Sequence, residues 1–307
     1  MAITSITEMA GIYAGHATDA EGKTGCTVIL CPEGATGAVD VRGGAPATRE
    51  TDLLRPEETV DVVHAVVLSG GSAFGLAASC GVADELELHH VGVDVGVTTV
   101  PIVVGACLFD LAYGSAKARP TLEMGRAAVR DAYERAGAPL PRGNVGAGTG
   151  CTAAKTLGME HAAKTGIGQG VFEVGDLKCC ALAAVNCLGD VVDPRTGEVL
   201  AGACVDGRYA PSEDGLVALE TQPLVGRTNT TISCVVTNAR LTKAAATKVA
   251  QIAADAYAHT IRPTHTTQDG DTIFVLATGE VDALTDVVGI AATRALEAAI
   301  TDAAHQA

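Results

Sequence analysis

The stretch Thr228-Asn229-Thr230-Thr231-Ile232 stands at the boundary between a loop and a strand, about three quarters of the way along the chain. Residues 223–227, PLVGR, contain Pro, Gly and Arg and favour a loop. Residues 232–236, ISCVV, are apolar and rich in β-branched side chains, which predicts a buried strand. The sequence therefore places a threonine hydroxyl at the mouth of a buried strand, directly after an asparagine carbonyl.

Two interpretations of this boundary are open. Most Asn-Thr pairs before a strand form a turn and nothing more. Alternatively, the Thr230 hydroxyl attacks the Asn229 carbonyl, the acyl group moves from nitrogen to oxygen, and water cuts the chain there. The new chain would begin with Thr230. Its α-amine, with an ordinary pKa of about 7.7–8.0, can activate its own hydroxyl as a nucleophile.

Nine further motifs run in order along nearly the whole chain. They are GHATD (15–19), TGCTVIL (24–30), RGGAPATRETDLL (42–54), LSGGSAFGL (68–76), VPIVVGACLFDL (100–111), GNVGAGTGCTAAK (143–155), VNCLGDVVD (185–193), LTKA (241–244) and IRPTHTTQDGDTIFVLATG (261–279). With the Asn229-Thr230 boundary, they resemble the L-aminopeptidase/D-esterase (DmpA-like) family of self-cleaving hydrolases. That family includes β-peptidyl aminopeptidases and the endo-type nylon-oligomer (6-aminohexanoate-oligomer) hydrolases. The resemblance implies cleavage between Asn229 and Thr230, with Thr230 as the nucleophile.

The composition excludes several classes of partner. Of 307 residues, 48% are hydrophobic and only 3% aromatic, so the core must consist of Ala, Val, Leu and Ile. A formal net charge of −15 argues against nucleic acid and anionic membrane surfaces, which both require a basic protein surface. The most apolar run, 91–108, is interrupted by Asp94, Gly96 and Pro101, so no membrane span is predicted.

Cysteine and histidine usage indicates a reducing compartment and no metal. The ten cysteines form no CxxC pair and lie mostly among apolar or small residues. Residues 1–15 lack the basic start and apolar run of a signal peptide. We therefore expect free buried thiols in the cytoplasm. The eight histidines form no HExxH motif or Cys/His cluster, so neither a metal nor a cofactor is expected.

Two glycine-rich stretches resemble known motifs but fail in context. Residues 146–150, GAGTG, follow a Pro-rich loop instead of a strand, and Cys151 occupies the third glycine position of a dinucleotide-binding loop. Residues 70–74, GGSAF, end in Phe74 where a nucleophile elbow requires glycine. We therefore predict neither a nucleotide site nor a serine nucleophile.

Strand and helix patterns are intermixed along the chain. Strands are predicted at 24–31, 36–42, 62–69 and 272–277, and residues 179–192 are predicted to begin as a strand. Helices are predicted at 73–88, 120–136, 242–259 (with Thr242 as N-cap) and 281–304. Residues 195–229 are predicted as hairpins followed by a loop. This mixture indicates layered α/β packing. The family resemblance implies a four-layer αββα sandwich of the N-terminal-nucleophile-hydrolase-like type, shared with ornithine acetyltransferase.

Asp269 and Asp271 flank Gly270 just before a predicted strand. Their i, i+2 spacing puts both carboxylates on one side, where they could orient the Thr230 ammonium or relay its proton. The alternative is a plain Asp-Gly-Asp turn. In the nylon-oligomer branch of the family two Asp occupy these positions, whereas the aminopeptidase branch has Ser and Glu. The resemblance therefore favours a catalytic pair of the first kind.

Four more residues have both an ordinary and a functional interpretation. Lys155 is a surface lysine or, by resemblance, an active-site cation that pairs with the aspartates. Asn186 lies in an apolar run, where its amide is structural or, by resemblance, an oxyanion donor. Tyr113 is a core aromatic or, by resemblance, a substrate-binding tyrosine of the pocket. His265 packs in its loop or takes part in catalysis. The 42–50 motif is expected as a loop held by an Arg–Glu pair, outside catalysis.

The sequence thus predicts an autoprocessed N-terminal-threonine amidohydrolase built as one catalytic domain, 1–307. Cleavage would give an α chain, 1–229, and a β chain, 230–307, that stay associated. The substrate would be a small peptide or amide, with 6-aminohexanoate oligomers among the candidates. The resemblance further implies a homo-oligomer of αβ units. An acyl transferase like ornithine acetyltransferase and an unprocessed, non-enzymatic relative are the alternatives.

Overall fold

Strands and helices alternate along the computed structural model, which describes residues 3–220 and 229–307. In chain order the strands are β1 (Tyr13–Asp19), β2 (Thr24–Val41), β3 (Thr48–Arg49), β4 (Val63–Ser69), β5 (Val93–Asp94), β6 (Thr99–Val100), β7 (Val103–Cys107), β8 (Thr152–Ala153), β9 (Ala163–Lys164), β10 (Ile167–Val174), β11 (Leu177–Asn186), β12 (Asp190–Val192), β13 (Val199–Ala201), β14 (Cys204–Val205), β15 (Arg208–Tyr209), β16 (Thr230–Ala239), β17 (Ile261–Arg262) and β18 (Thr272–Val281). The α-helices are α1 (Ala77–Leu88), α2 (Leu122–Glu134), α3 (Ser212–Ala218), α4 (Lys243–Ala253), α5 (Asp255–Thr260) and α6 (Thr285–His305). Most of the predicted loop before Asn229 lies outside the described residues.

The long strand β2 belongs to two sheets at once. Its first half pairs with β1 and β4, and β7 and β3 extend this first sheet. Its second half pairs with β18, and β16, β11 and β10 follow in the second sheet. The register against β4 shifts between Leu30 and Ala35, where the strand leaves the first sheet. The prediction of two separate strands was wrong, because Pro32-Glu33-Gly34 bends the strand without ending it.

Three hydrophobic clusters fill the spaces between four layers. Ile232 and Phe274 lie in the cluster between the two sheets. Val82 belongs to the cluster under α1 and α2, which cover the first sheet. Val235 and Leu296 belong to the cluster under α4, α5 and α6, which cover the second sheet. Neighbouring strand residues point to opposite faces, so β16 supplies two clusters. The predicted four-layer αββα sandwich is confirmed.

Glycines let these layers approach closely. A Cβ on Gly81 of α1 would lie 1.8 Å from the carbonyl oxygen of Leu122 on α2. A Cβ on Gly168 of β10 would lie 2.1 Å from the carbonyl oxygen of Ala299 on α6. Real side chains cannot occupy such positions, so helix–helix and helix–sheet packing here requires glycine. This explains how a chain with 36 glycines and 3% aromatics fills its core.

The other predicted elements agree with the structure apart from their ends. They are β4, β11, β18, α1, α2 and α6. Thr242 accepts a hydrogen bond from Ala245 N at 3.2 Å, so it is the predicted N-cap. The predicted helix 242–259 is two helices that meet at Ala254, and α3 forms where only hairpins and a loop were predicted.

Two further properties bear on the expected environment of the protein. Within the described residues, none of the helices combines the length and apolarity that crossing a bilayer requires. All ten cysteines are free thiols, and all but Cys80 and Cys204 are buried.

Candidate active site

Thr230 is the first residue of β16, between two other strands of the second sheet. Its partner on the antiparallel neighbour β11 is Asn186. On the other side, Asn229 forms a bridge to Asp269, ahead of the parallel strand β18. Because β16 runs parallel to β18 and antiparallel to β11, the end of β11 and the start of β18 meet beside Thr230. The Thr230 side chain is buried there.

The carbonyl of Asn229 is the group that Thr230 would attack. The Thr230 hydroxyl donates a hydrogen bond to this carbonyl oxygen. Gly270 N donates to the same oxygen at 3.0 Å. An N–H aimed at a carbonyl oxygen stabilises the charge that develops there during nucleophilic attack. A Cβ at residue 270 would lie 2.9 Å from Thr230 Oγ1, so the glycine between the aspartates is needed for this approach.

Asp271 is buried and surrounded by donors. Its Oδ1 accepts a hydrogen bond from Thr231 N at 2.8 Å. Its Oδ2 accepts from Thr264 Oγ1 at 3.1 Å and from His265 N at 3.0 Å. Hydrogen bonds to the ionised form favour a carboxylate over a carboxylic acid. Both oxygens of Asp271 are therefore held by donors of the surrounding loop and of β16.

Asp269 is buried beside it in a less favourable setting for charge. Its Oδ2 accepts hydrogen bonds from Thr266 N at 2.9 Å and Thr266 Oγ1 at 2.5 Å. Burial, together with the neighbouring Asp271 charge, raises the pKa of Asp269 to about 6. A carboxyl group with a pKa of about 6 is suited to proton transfer near neutral pH.

His265 extends the aspartate pair. Its Nδ1 lies 2.9 Å from Asp271 Oδ2, and an ionised carboxylate only accepts, so Nδ1 carries the proton. Its Nε2 is buried with no hydrogen-bond partner among the described residues. The ring packs edge-on against Tyr257, with ring centroids 5.4 Å apart. The sequence is compatible with either a packing or a catalytic role for His265, and the structure places its side chain in direct contact with Asp271.

Lys155 and Asn186 form a polar pair on the β11 side of Thr230. Lys155 Nζ donates to the Asn186 carbonyl at 2.9 Å and to Asn186 Oδ1 at 2.8 Å. Thr152 N also donates to Oδ1, at 3.1 Å, and Asn186 Nδ2 donates to the Phe109 carbonyl at 2.7 Å. Lys155 is only 8% exposed, so it is not a surface lysine. Burial lowers its pKa to about 8.

Tyr113 lies apart from these groups, at the edge of a neighbouring cleft. It is 40% exposed, so it is not a core aromatic. The cleft has a volume of about 170 Å³, and its lining includes Lys23 and Lys164. Tyr113 N donates to the Asp110 carbonyl at 3.0 Å, which fixes the turn that carries the ring.

The loop 42–45 supports the backbone under the aspartates. Gly43 N donates to the Asp271 carbonyl at 3.3 Å, and Ala45 N donates to the Asp269 carbonyl at 2.8 Å. A Cβ on Gly43 would lie 2.3 Å from the Asp269 carbonyl oxygen. This motif was predicted to lie outside catalysis. Its paired glycines were the signal of a close backbone approach.

The structure therefore brings together Thr230, Lys155, Asn186, Asp269 and Asp271. These groups supply a hydroxyl nucleophile, carboxylates for proton transfer, and cationic and amide donors for negative charge, which is the equipment of acyl transfer. Within residues 3–220 and 229–307, no three His, Cys, Asp or Glu side chains converge as metal ligands would.

Nearly the whole chain is similar to proteins of one peptidase family. Residues 4–307 match peptidase family S58. An uncharacterized aminopeptidase of Mycobacterium leprae is 43% identical over 296 residues, which cover 92% of this chain and 80% of that protein. The 6-aminohexanoate-oligomer endohydrolase of Paenarthrobacter ureafaciens is 34% identical over 277 residues, which cover 89% of this chain and 74% of that enzyme.

Solved structures show the same fold. The L-aminopeptidase D-Ala-esterase/amidase of Ochrobactrum anthropi, described as a variant of the Ntn hydrolase fold, gives a TM-score of 0.69 at 19% identity, covering 99% of this chain and 87% of that one. A β-aminopeptidase of Burkholderia sp. gives 0.68 at 19% identity, covering 97% and 85%. The predicted N-terminal-nucleophile-hydrolase-like fold is confirmed. The protein therefore belongs to peptidase family S58 and is a hydrolase of amide bonds, as its sequence predicted.

Proposed function

We propose that the chain cuts itself between Asn229 and Thr230 and that Thr230 then hydrolyses small peptides or amino-acid oligomers through an acyl-enzyme. The observation that carries this proposal is the geometry at the start of β16. The Thr230 hydroxyl is in contact with the Asn229 carbonyl, and Gly270 N holds the same oxygen at 3.0 Å. A nucleophile held against its target gains most of the advantage that proximity gives.

Self-cleavage follows from this contact. Thr230 Oγ attacks the Asn229 carbonyl carbon and loses its proton, and the oxyanion rests on Gly270 N–H. The C–N bond breaks as the Thr230 nitrogen gains a proton, which leaves an ester. Water then cleaves the ester and frees the Asn229 carboxylate and the Thr230 amine. Asp269, with a pKa of about 6, is the group suited to carry the proton between these atoms.

The mature enzyme uses the same groups on its substrate. The Thr230 amine accepts the hydroxyl proton during attack on the substrate amide, and the leaving amine then takes that proton. Asn186, opposite Thr230 on β11, holds the oxyanion together with a backbone N–H. Lys155 adds positive charge next to Asn186. Asp271 holds Thr231 N, and His265 holds Asp271, so both position the nucleophile.

The two chains, 1–229 and 230–307, would remain one catalytic domain. After the cut, β16 still lies between β11 of the α chain and β18 of the β chain. The β chain also keeps α4, α5 and α6 packed on the sheet. Exposed apolar residues on and before α6, such as Leu284 (75% exposed) and Ile290 (54% exposed), support assembly of these αβ units into a homo-oligomer.

Relatives and the aspartate pair together support the substrate class. One relative is named an aminopeptidase and another a 6-aminohexanoate-oligomer endohydrolase. The Asp269-Asp271 pair is the one that the nylon-oligomer branch carries. We infer that linear amide oligomers of that kind are substrates. The free cysteines support a cytoplasmic location.

Intact mass and N-terminal sequencing of the purified protein test the proposal. Two chains are expected, and the smaller should begin Thr-Thr-Ile-Ser-Cys. A single stable chain, or a start at Thr231, would overturn the assignment of Thr230.

Substitution of the nucleophile supplies the second test. Thr230→Ala should remain uncut and inactive while folding normally, because it removes only a hydroxyl and a methyl group. Thr230→Ser, the matched control, should still cut because it keeps the hydroxyl. Adding an amine acceptor distinguishes a transferase, which would form a new amide faster than it releases free acid.

A further inference from the structure

The cleft beside Tyr113 carries two ammonium groups. It has a volume of about 170 Å³ and is lined by Ala20, Lys23, Tyr113, Asn144, Thr149 and Lys164. Lys164 Nζ lies 5.4 Å from the centroid of the Tyr113 ring. Lys23 is exposed at the same cleft, and its backbone has a φ of +61°. Drug-sized ligands need roughly 300 Å³ or more, so this cleft suits one small group.

The charge in the cleft is uncompensated. Lys164 Nζ donates to the carbonyls of Gly148, at 3.3 Å, and Thr165, but neither lysine pairs with a carboxylate within the part of the chain that the structure describes. Burial lowers the pKa of Lys164, and the nearby charge of Lys23 lowers it further. The chain as a whole has a net charge of −15. Two neighbouring cations without a counter-ion in an acidic protein favour the binding of an anion.

Two short connections join the cleft to the residue opposite the nucleophile. Lys164 on β9 pairs with Thr152 on β8, and Thr152 N donates to Asn186 Oδ1 at 3.1 Å. On the other side, Asn186 Nδ2 donates to the Phe109 carbonyl at 2.7 Å, and Phe109 directly precedes the turn that Tyr113 N closes onto the Asp110 carbonyl. One strand pair and one turn therefore connect the cleft to Asn186, the residue that pairs with Thr230.

We propose that this cleft binds the free carboxylate of the amide substrate, with Lys23 and Lys164 as its cationic ligands. The inference rests on the proposed hydrolase function and adds the substrate class, namely amides that carry a carboxylate beyond the scissile bond. Ammonium–carboxylate hydrogen bonds are short and strong. Tyr113 and Asn144 can donate from the side of the cleft. The site selects acids over the matching neutral amides.

Matched substrates test the selection. A dipeptide and its C-terminal amide differ by a carboxylate on the leaving amine. An ω-carboxyacyl anilide and the matching alkanoyl anilide differ by a carboxylate on the acyl part. In at least one pair the wild-type enzyme should prefer the acid about tenfold in kcat/KM, mainly through KM. The pair that shows the preference identifies the side of the scissile bond. Equal rates in both pairs would overturn the proposal.

Charge variants keep the test specific. Lys23→Gln should abolish the preference for the acid, and Lys23→Arg should restore it. Lys248→Gln, at an exposed position on α4, makes the same change in net charge and should keep the preference. A preference that survives in Lys23→Gln and in Lys164→Gln would overturn the proposal. If the wild-type enzyme hydrolyses none of these substrates, the result would instead count against the proposed function.

Discussion

The two sides of Thr230 are built from contacts of very different range. On the β18 side lies the carboxylate flank, residues 264–271. Its two aspartates accept hydrogen bonds mainly from donors no more than seven positions away in the sequence. On the β11 side, the amide flank (Thr152, Lys155 and Asn186) depends on bonds between residues 31, 34 and 77 positions apart. The carboxylate flank is a local unit, whereas the amide flank exists only after the sheets have packed. Changes in the first should act on chemistry and, through Asp269, on how stability depends on pH; changes in the second should act on chemistry and on stability together.

The largest effect is expected at the centre of the carboxylate flank. Gly270→Ala would place a methyl carbon 2.9 Å from Thr230 Oγ1 and 2.8 Å from the Ala45 carbonyl oxygen. Self-cleavage, followed on denaturing gels, should slow at least a hundredfold, since small displacements of reacting atoms cost about that much. Gly279→Ala adds the same methyl group where no atom lies within 4 Å, and should cut normally although its φ of +84° strains the backbone. Normal cutting by Gly270→Ala would show that the flank tolerates displacement.

Asp269→Asn tests the carboxylate flank through turnover and through the dependence of stability on pH. Turnover should fall about a hundredfold, the usual scale for losing an acid–base partner. The folded pKa of about 6 exceeds the unfolded value of about 3.9, so the native state binds more protons between these pH values. Wild-type unfolding free energy, measured by urea titration, should therefore decrease as pH rises from about 4 to about 6. The decrease should be absent in Asp269→Asn, and its persistence there would assign it to another group.

Lys155→Met tests the amide flank. Turnover should fall by about tenfold to a hundredfold, because positive charge beside Asn186 is lost. The folded pKa of about 8 lies below the unfolded value of about 10.4, so the unfolded state binds more protons between them. Wild-type stability should therefore increase from about pH 8 to about pH 10.4, and the variant should lack this increase. A variant with reduced turnover but the wild-type dependence of stability on pH would contradict the proposed coupling of chemistry and folding.

The smallest effect is expected at the edge of the carboxylate flank. His265→Ala removes one of the donors to Asp271 and should reduce kcat about tenfold, the scale of one hydrogen bond to a charged group. Asn has an amide nitrogen that can replace Nδ1 and tolerates the φ of +56° at this position, so His265→Asn should recover most of the loss. Equal kcat in the Ala and Asn variants would mean that His265 only fills space against Tyr257.

The range of these contacts also explains what the sequence could predict. The closeness of the two aspartates was predictable because their spacing before a strand is a local property, whereas their catalytic role was favoured only by the family resemblance. Lys155 and Asn186 were reached by resemblance alone, since their partners are distant in the chain. Arg42 was expected to pair with Glu50, but its side chain bonds Asp40 at 2.7 Å, a partner that the fold of β2 selects. The continuous course of β2 was missed because Pro and Gly ordinarily end a strand.

The position of β16 inside the second sheet has a consequence for recovery from damage. An uncut chain that unfolds can refold by itself, because all of its strands belong to one molecule and refolding is unimolecular. Once the bond before Thr230 is broken, β16 and β18 belong to one molecule and their neighbours β11 and β2 to another, so the sheet must re-form at a rate that depends on concentration. The cleaved enzyme would then last only as long as it stays folded. Its lifetime would be set by its rate of unfolding and not by an equilibrium between folded and unfolded states.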